Sequence, residues 1–195
     1  MMTETVGEVR QTTGGDAWLK RYYFARAAFS IVWVGAAVSL ADAATAVVAT
    51  LLLIYPAWDA AANVVDARRN GGLRSNPTQA FNTVVSSVTT IAVAVALASS
   101  MNDVLRVFGI WASLSGLLQL ATAVRRWKSH GAQWPMIISG IQSTAAGVSF
   151  VIKAGGPVAP QVDAIAPYAA FGAFYFLISA LWLTFTQARR RRISG

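Results

Sequence analysis

The stretch VLRVFGIWASLSGLLQLATAVRR, residues 104–126, is an apolar run that ends in two arginines. Its length matches that of a helix that crosses the hydrocarbon core of a bilayer, which needs about 20 residues. In lipid such a run must be helical, because only a helix satisfies every backbone hydrogen bond within the segment. The stretch therefore predicts a transmembrane helix with one basic end.

Five other runs of the chain have the same character, and all are rich in Ala, Val, Leu and Ile. None alternates in segments of about ten residues, as porin strands do. Charged residues make up 12% of the 195 residues, about half the share in a soluble protein. The composition predicts an all-α membrane protein with one six-helix domain over residues 18–192. The predicted segments are 22–41, 44–65, 79–98, 104–124, 135–154 and 165–187.

The basic residues mark one side of these six segments. Of the 16 basic residues, the two that fall at the opposite turns are Arg106 and Lys153. Lys and Arg collect on the cytoplasmic side of membrane proteins and bias their orientation. We therefore predict a multi-pass protein of a bacterial inner (plasma) membrane with both termini in the cytoplasm. The fourteen basic residues other than Arg106 and Lys153 form four clusters: Arg10, Lys20, Arg21 and Arg26; Arg68, Arg69 and Arg74; Arg125, Arg126 and Lys128; and residues 189–192.

The net charge of +8 indicates an anionic partner, which could be a nucleic acid or the lipid headgroups of a membrane. The positive charge lies at the ends of apolar helices and is not interleaved with aromatic residues on a polar face, as a nucleic-acid groove requires. We expect no nucleic-acid partner, and anionic lipid headgroups as the counter-charge of the bilayer. The sequence leaves open whether the protein forms a homo-oligomer. Residues 1–17 are polar and lack the features of a signal peptide, so they are predicted to be a disordered cytoplasmic tail.

The six segments form three similar hairpins, over residues 20–69, 79–126 and 135–190. Their outer turns each hold one acidic residue, Asp42, Asp103 and Asp163, about 60 residues apart. Such a period indicates a repeated supersecondary unit. All three hairpins have the same orientation, so an axis along the membrane normal is predicted to relate them.

The second helices of these hairpins share a motif. It reads FGIWASLSG at 108–116, is echoed by FGAF at 171–174 and by Ser179 and Ala180, and is followed by a basic end. In this pattern residues 20–192 resemble the HdeD-type acid-resistance membrane proteins and the short-repeat membrane proteins around them. The resemblance implies a non-enzymatic membrane protein with a role in envelope or acid stress.

Asp59 is the main candidate for a functional residue. It lies within the second segment, where a carboxylate costs about 2.5–3.5 kcal/mol on insertion scales and so needs protein or water around it. Tyr55, Asp59 and Asn63 are spaced by four residues on one helix face, beside Pro56. One interpretation is a stripe that binds a proton or a small solute. The alternative is a structural anchor for the first hairpin.

The structural interpretation has a specific form. Arg26 and Asp59 are about equally far along the chain from the outer turn at Asp42, so the first hairpin should bring them to the same depth. An Arg26–Asp59 ion pair would neutralise both charges in a medium of low dielectric constant. Alternatively, the long side chain of Arg26 reaches the headgroups.

Amides at membrane depth complete the candidate site. Polar side chains often serve as contacts between helices in lipid, but stranded amides are costly, so these should face the bundle interior. They predict either a polar path for protons or a small solute, as in a small transporter or channel, or contacts between helices. The predicted path consists of Tyr55, Asp59, Asn63, Asn82, Gln119 and Gln142.

Other kinds of chemistry find no support in the sequence. The chain has no cysteine and one histidine, His130, in a basic loop, so we predict no metal site. No Ser/His/Asp set or paired catalytic carboxylates occur, and no phosphate-cradling glycine motif. We therefore predict no cofactor and no enzymatic activity.

Overall fold

The computed structural model describes the backbone of residues 2–126 and 134–193, and within it the side chains of 17–124, 134 and 136–189. All regular structure in these residues is helical, which confirms the predicted all-α class. Two short 3₁₀ turns, Leu73–Ser75 and Val162–Ile165, precede the third and the sixth helix. The helices are α1 (Met2–Ser39), α2 (Thr45–Arg69), α3 (Pro77–Ala96), α4 (Met101–Arg126), α5 (Trp134–Lys153) and α6 (Ala166–Ile193).

Each of these six described helices is long and apolar enough to cross a membrane. The chain is therefore a multi-pass membrane protein, as the apolar runs predict. Many side chains on the helix surfaces are large, apolar and exposed, such as Val95 and Ile152. In lipid these side chains meet acyl chains, so their exposure has no hydrophobic cost.

The first helix has two parts of different composition. It begins at Met2, and its apolar part is Ala17–Ser39. The disordered tail over residues 1–17 stays a prediction.

The described residues divide into two compact units, and the first contains α1 up to Val32 and α6 from Ala169. Inside this unit the ring of Tyr23 lies 6.0 Å from that of Phe176, and the Arg26 guanidinium lies 4.3 Å from the Phe176 ring centre. Lys20 Nζ donates a hydrogen bond to Gln187 Oε1 at 3.3 Å. The ends of α1 and α6 that carry the basic clusters thus pack against each other.

The second unit spans Trp33–Tyr168, and its most extensive helix pair is α4 with α5. Gly109 and Gly116 on α4 face Gly147 and Gly140 on α5. A Cβ added to Gly109 would lie 2.7 Å from the carbonyl oxygen of Gly147, and one added to Gly140 would lie 2.9 Å from that of Gly116. Small residues allow such close backbone approach between transmembrane helices. The sequence thus brings α4 and α5 into direct backbone contact.

The facing glycines of α4 and α5 recur every seven residues. Contacts between α2 and α3 also recur every seven residues, but they are side-chain contacts. Ser86 Oγ donates to Asp59 Oδ2 at 2.7 Å, and one heptad away Gln79 Nε2 donates to Asp66 Oδ2 at 3.1 Å. One heptad in the other direction are Leu52 and Val93, which are both fully buried. Polar contacts therefore hold one half of this interface, and apolar side chains fill the other.

Packing in the second unit is most extensive across the basic turns, between α2 and α3 and between α4 and α5. The division of the chain into three hairpins stays a prediction. The rotational relation among three hairpins stays a prediction.

Arg106 is one of the two basic residues at the outer turns, and the structure gives it a local role. Its guanidinium forms an ion pair with Asp103 and donates to the carbonyl oxygen of Ala154 at the end of α5. Asn102 Nδ2 donates to the same carbonyl at 3.1 Å. A cation is favourable at the negative end of a helix dipole. Arg106 therefore caps α5.

Candidate polar site around Asp59

Asp59 lies inside the membrane-spanning part of α2 and is half-buried. Its Oδ2 atom accepts two hydrogen bonds, from Ser86 Oγ at 2.7 Å and from Asn63 Nδ2 at 3.1 Å. Asn63 is held in place because the same amide also donates to the main-chain oxygen of Asp59 at 2.8 Å. Hydrogen bonds to an ionised acceptor are short and strong, so these donors stabilise a carboxylate at this depth.

Ser86 connects this carboxylate to a third helix. Its side chain is 1% exposed, and its Oγ accepts a hydrogen bond from Trp111 Nε1 at 3.2 Å. The indole of α4, the hydroxyl of α3 and the carboxylate of α2 thus form one directed chain of hydrogen bonds. We call Asp59, Asn63, Ser86 and Trp111 the Asp59 cluster. It ties α2, α3 and α4 together at one point inside the membrane.

Aromatic rings surround the Trp111 end of the cluster. The Trp111 ring lies edge-on to Tyr55 at 5.8 Å and to Tyr168 at 6.2 Å between centroids. Trp33 lies 4.5 Å from Tyr55, and its indole donates to the main-chain oxygen of Leu51 at 2.8 Å. Edge-to-face aromatic pairs add about 0.5–1.5 kcal/mol beyond the area that they bury. These rings hold the indole in the position from which it donates to Ser86.

The structure brings together part of the predicted polar path. Tyr55, Asp59 and Asn63 lie along α2, and Asn82 is half-buried on α3, one turn before Ser86. Gln119 is engaged elsewhere, because its Oε1 accepts a hydrogen bond from Ser139 at 3.1 Å between α4 and α5.

Gln142 is half-buried on α5. Its neighbour Ser143 is buried and donates to the main-chain oxygen of Ala112 at 2.9 Å. Gln119 also lies at the α4–α5 interface, away from the donors of the Asp59 cluster. A continuous path through all six predicted residues stays a prediction.

Two residues of the cluster, Ser86 and Trp111, are absent from the predicted site. The sequence does contain a feature that predicts Ser86 near Asp59. The two residues are equally far along the chain from the turn at Gly72 and Leu73, so they should lie at equal depth. Folding about the outer turn at Asp42 predicts Arg26 at the depth of Asp59, and folding about the basic turn predicts Ser86 at the same depth.

Arg26 has aromatic partners in its own unit. Its Nη1 atom donates to the Tyr22 hydroxyl at 3.1 Å, and its guanidinium lies over the Phe176 ring. Arg26 and Asp59 belong to different compact units. The Arg26–Asp59 ion pair therefore stays a prediction.

The cluster offers a carboxylate, an amide, a hydroxyl and an indole. A carboxylate can take up a proton or bind a cation, and a hydroxyl can pass a proton along a hydrogen-bond chain. Within the part of the chain that the structure describes, no group of three His, Asp or Glu side chains is placed to hold a metal ion. His130 lies outside the described residues.

Comparisons with known proteins bear on one part of the chain. Residues 81–152 match the model of a family described as a short repeat of unknown function (DUF308). This repeat is the domain of HdeD-type membrane proteins, so the match is consistent with the predicted resemblance and confirms it over residues 81–152. The matched residues run from α3 to α5 and include Ser86 and Trp111. No curated protein and no solved structure matches the chain.

Proposed function

We propose that this protein is a non-enzymatic, multi-pass protein of a bacterial inner membrane that acts in envelope or acid stress, with both termini in the cytoplasm. The observation that carries the proposal is the match of residues 81–152 to the repeat of HdeD-type membrane proteins. The orientation is supported by the fourteen basic residues on one side of the six segments.

The packing of the matched segment supports a structural role in the membrane. Its four facing glycines leave no room for a side chain between α4 and α5. The buried hydroxyls of Ser86 and Ser143 form hydrogen bonds to protein atoms, that of Ser143 to Ala112 and Tyr168. A tightly packed pair of this kind suits a protein that must keep its fold when the external pH falls.

Survival of acid challenge tests this proposal. Deletion of the gene in its host should lower survival, and the full chain expressed from a plasmid should restore it. A packing variant, Gly116→Leu, should not restore survival, whereas Gly35→Leu on a lipid-facing surface should. Equal survival of the deletion strain and its parent under acid and envelope stress would contradict the proposal.

A second candidate function is a small transporter or channel for protons or a small solute. It is supported by the Asp59 cluster, in which a carboxylate within a membrane-spanning helix is linked through Ser86 to Trp111. Ionisable residues inside the membrane often mark proton or ion pathways.

Flux in liposomes separates the two candidates. The purified protein would be reconstituted with a pH-sensitive dye inside the vesicles, and proton entry would be followed after an acid pulse. Transport through the cluster predicts a flux that Asp59→Asn abolishes and that the neighbouring variant Ser87→Ala leaves intact. A rate equal to that of empty vesicles for protons and for small solutes would remove the transporter candidate.

A further inference from the structure

Three arginines surround the turn between α2 and α3. Arg68 and Arg69 end α2, Arg74 lies in the following 3₁₀ turn, and all three are exposed. Between Ala67 and Asn102 the sequence contains no acidic residue. The turn is thus a concentrated positive surface, which we call the arginine turn.

The main chain of this turn is held in one shape. Asn76 Nδ2 donates to the carbonyl oxygens of Asn70 at 2.6 Å and Gly72 at 2.8 Å. The Gly72 N–H donates to Ala67 O at 2.7 Å. Gly71 and Gly72 have φ angles of 93° and 90°, which other residues rarely adopt. The three arginines therefore project from a fixed frame.

The nearest acidic residue in the sequence has its own partners. The Asp66 Oδ1 atom accepts from Asn70 Nδ2 at 3.0 Å, and its Oδ2 atom accepts from Gln79 Nε2 at 3.1 Å. Both donors are neutral amides, so Asp66 fixes the turn to α3. The hydrogen bonds and ion pairs of the described residues include none from Arg68 or Arg74. These two guanidinium groups are therefore available to an external anion.

The arginine turn lies at the end of two membrane-spanning helices, and this position favours a lipid headgroup as the anion that it binds. It connects two helices that are each long and apolar enough to cross a membrane, Thr45–Arg69 and Pro77–Ala96, so it lies where the hydrocarbon ends. Exposed apolar side chains adjoin it, with Leu73 37% and Phe81 48% exposed. A soluble phosphate or a nucleic acid would make no favourable contact with that apolar surface, whereas the acyl chain of a lipid would.

We propose that the arginine turn is a binding site for an anionic phospholipid. Arg68 and Arg74 hold the headgroup phosphate, Arg69 adds positive charge beside them, and Leu73 and Phe81 contact the acyl chain of the lipid. Guanidinium groups bind phosphate oxygens through two parallel hydrogen bonds, a geometry that lysine lacks. Each basic residue near an anionic surface strengthens attraction about fivefold. The site would select phosphatidylglycerol over phosphatidylcholine.

Titration of the detergent-purified full chain with short-chain lipids, followed by native mass spectrometry, tests this site. We expect phosphatidylglycerol to bind, and phosphatidylcholine to bind at least tenfold more weakly. The triple variant Arg68→Gln/Arg69→Gln/Arg74→Gln should lose most of the preference. A matched control, Arg21→Gln/Lys153→Gln/Arg189→Gln, removes the same charge from exposed positions elsewhere and should keep it.

The other outcomes decide against the proposal. Equal loss in both triple variants would show that overall charge, and not this turn, attracts the lipid. Displacement of the lipid by millimolar inorganic phosphate would identify a phosphate site without a lipid contact. An unchanged preference in the arginine-turn variant would overturn the site outright. Melting temperatures of both triple variants equal to that of the parent chain, measured without lipid, would show that both remain folded.

Discussion

Gly116 and Gly140 face each other across α4 and α5 without a side chain between them, and a Cβ added to Gly116 would lie 2.5 Å from the carbonyl oxygen of Gly140. Real Cβ atoms do not approach a backbone oxygen so closely. One of the two helices would have to move to admit a methyl group. This contact therefore sets the distance between the two helices.

The first prediction concerns this contact. Gly116→Ala should destabilise the protein by about 1–3 kcal/mol, because overpacking forces the backbone apart. Gly35→Ala is the matched control, since a Cβ added at Gly35 meets no atom within 4 Å. The control should be neutral or slightly stabilising, because alanine favours helix over glycine. Unfolding in detergent, followed by tryptophan fluorescence, gives both values. Equal stabilities of the two variants would contradict the close packing.

The α4–α5 contact also shows that the membrane segments can be predicted from the sequence but the contacting faces of the helices cannot. Hydropathy predicts the membrane segments well, because helix length follows from bilayer thickness. It cannot show which face of a helix meets a neighbour, because lipid and protein interior are equally apolar. Gly140 and Gly147 are packed, whereas Ser87 and Ala94, at the same spacing on α3, are exposed. The repeat of small residues predicts equivalent positions, but contact is decided by the partner helix.

The candidate site shows the same limit. Asp59 was predictable, because a carboxylate in an apolar run is conspicuous and requires donors. Ser86 and Trp111 do not stand out in the sequence, because hydroxyls and indoles are common in membrane helices. Their importance follows from the register of α2 against α3. The basic turn at Gly72 sets that register.

The second prediction tests the Asp59 cluster. Ser86→Ala removes a donor to the Asp59 carboxylate and the acceptor of the Trp111 indole, so stability should fall by about 1–3 kcal/mol. Ser86→Thr keeps the hydroxyl and should retain more of the stability than Ser86→Ala does. The adjacent Ser87 is exposed, so Ser87→Ala should change stability by less than about 0.5 kcal/mol. If Ser86→Ala is as stable as Ser87→Ala, the hydrogen-bond chain contributes nothing to the fold.

The third prediction concerns orientation. The chain has no cysteine, so single cysteines can be introduced without background. The basic clusters predict that Asn70→Cys faces the cytoplasm and that Val158→Cys, which is 80% exposed, faces outward. An impermeant maleimide should label Val158→Cys in intact cells, and Asn70→Cys only after lysis. Labelling of Asn70→Cys in intact cells would reverse the proposed topology.

The fourth prediction is the ion pair between Arg26 and Asp59. If the two side chains pair at equal depth, Asp59→Asn should cost about 3–5 kcal/mol, because it strands the Arg26 charge in a medium of low dielectric constant. Arg26→Gln added to that variant should restore much of the loss. Conversely, if the two side chains do not interact, the two changes act independently and their costs add.

A double-mutant cycle distinguishes these cases, with unfolding measured for the two single variants, the double variant and the parent chain. A coupling above about 1 kcal/mol would identify Asp59 as the structural partner of Arg26. Additive costs would show that Asp59 does not depend on Arg26 for its stability. Ionisable residues inside the membrane often mark proton or ion pathways. Additivity would therefore favour the transporter candidate, with Asp59 as the residue that takes up the proton.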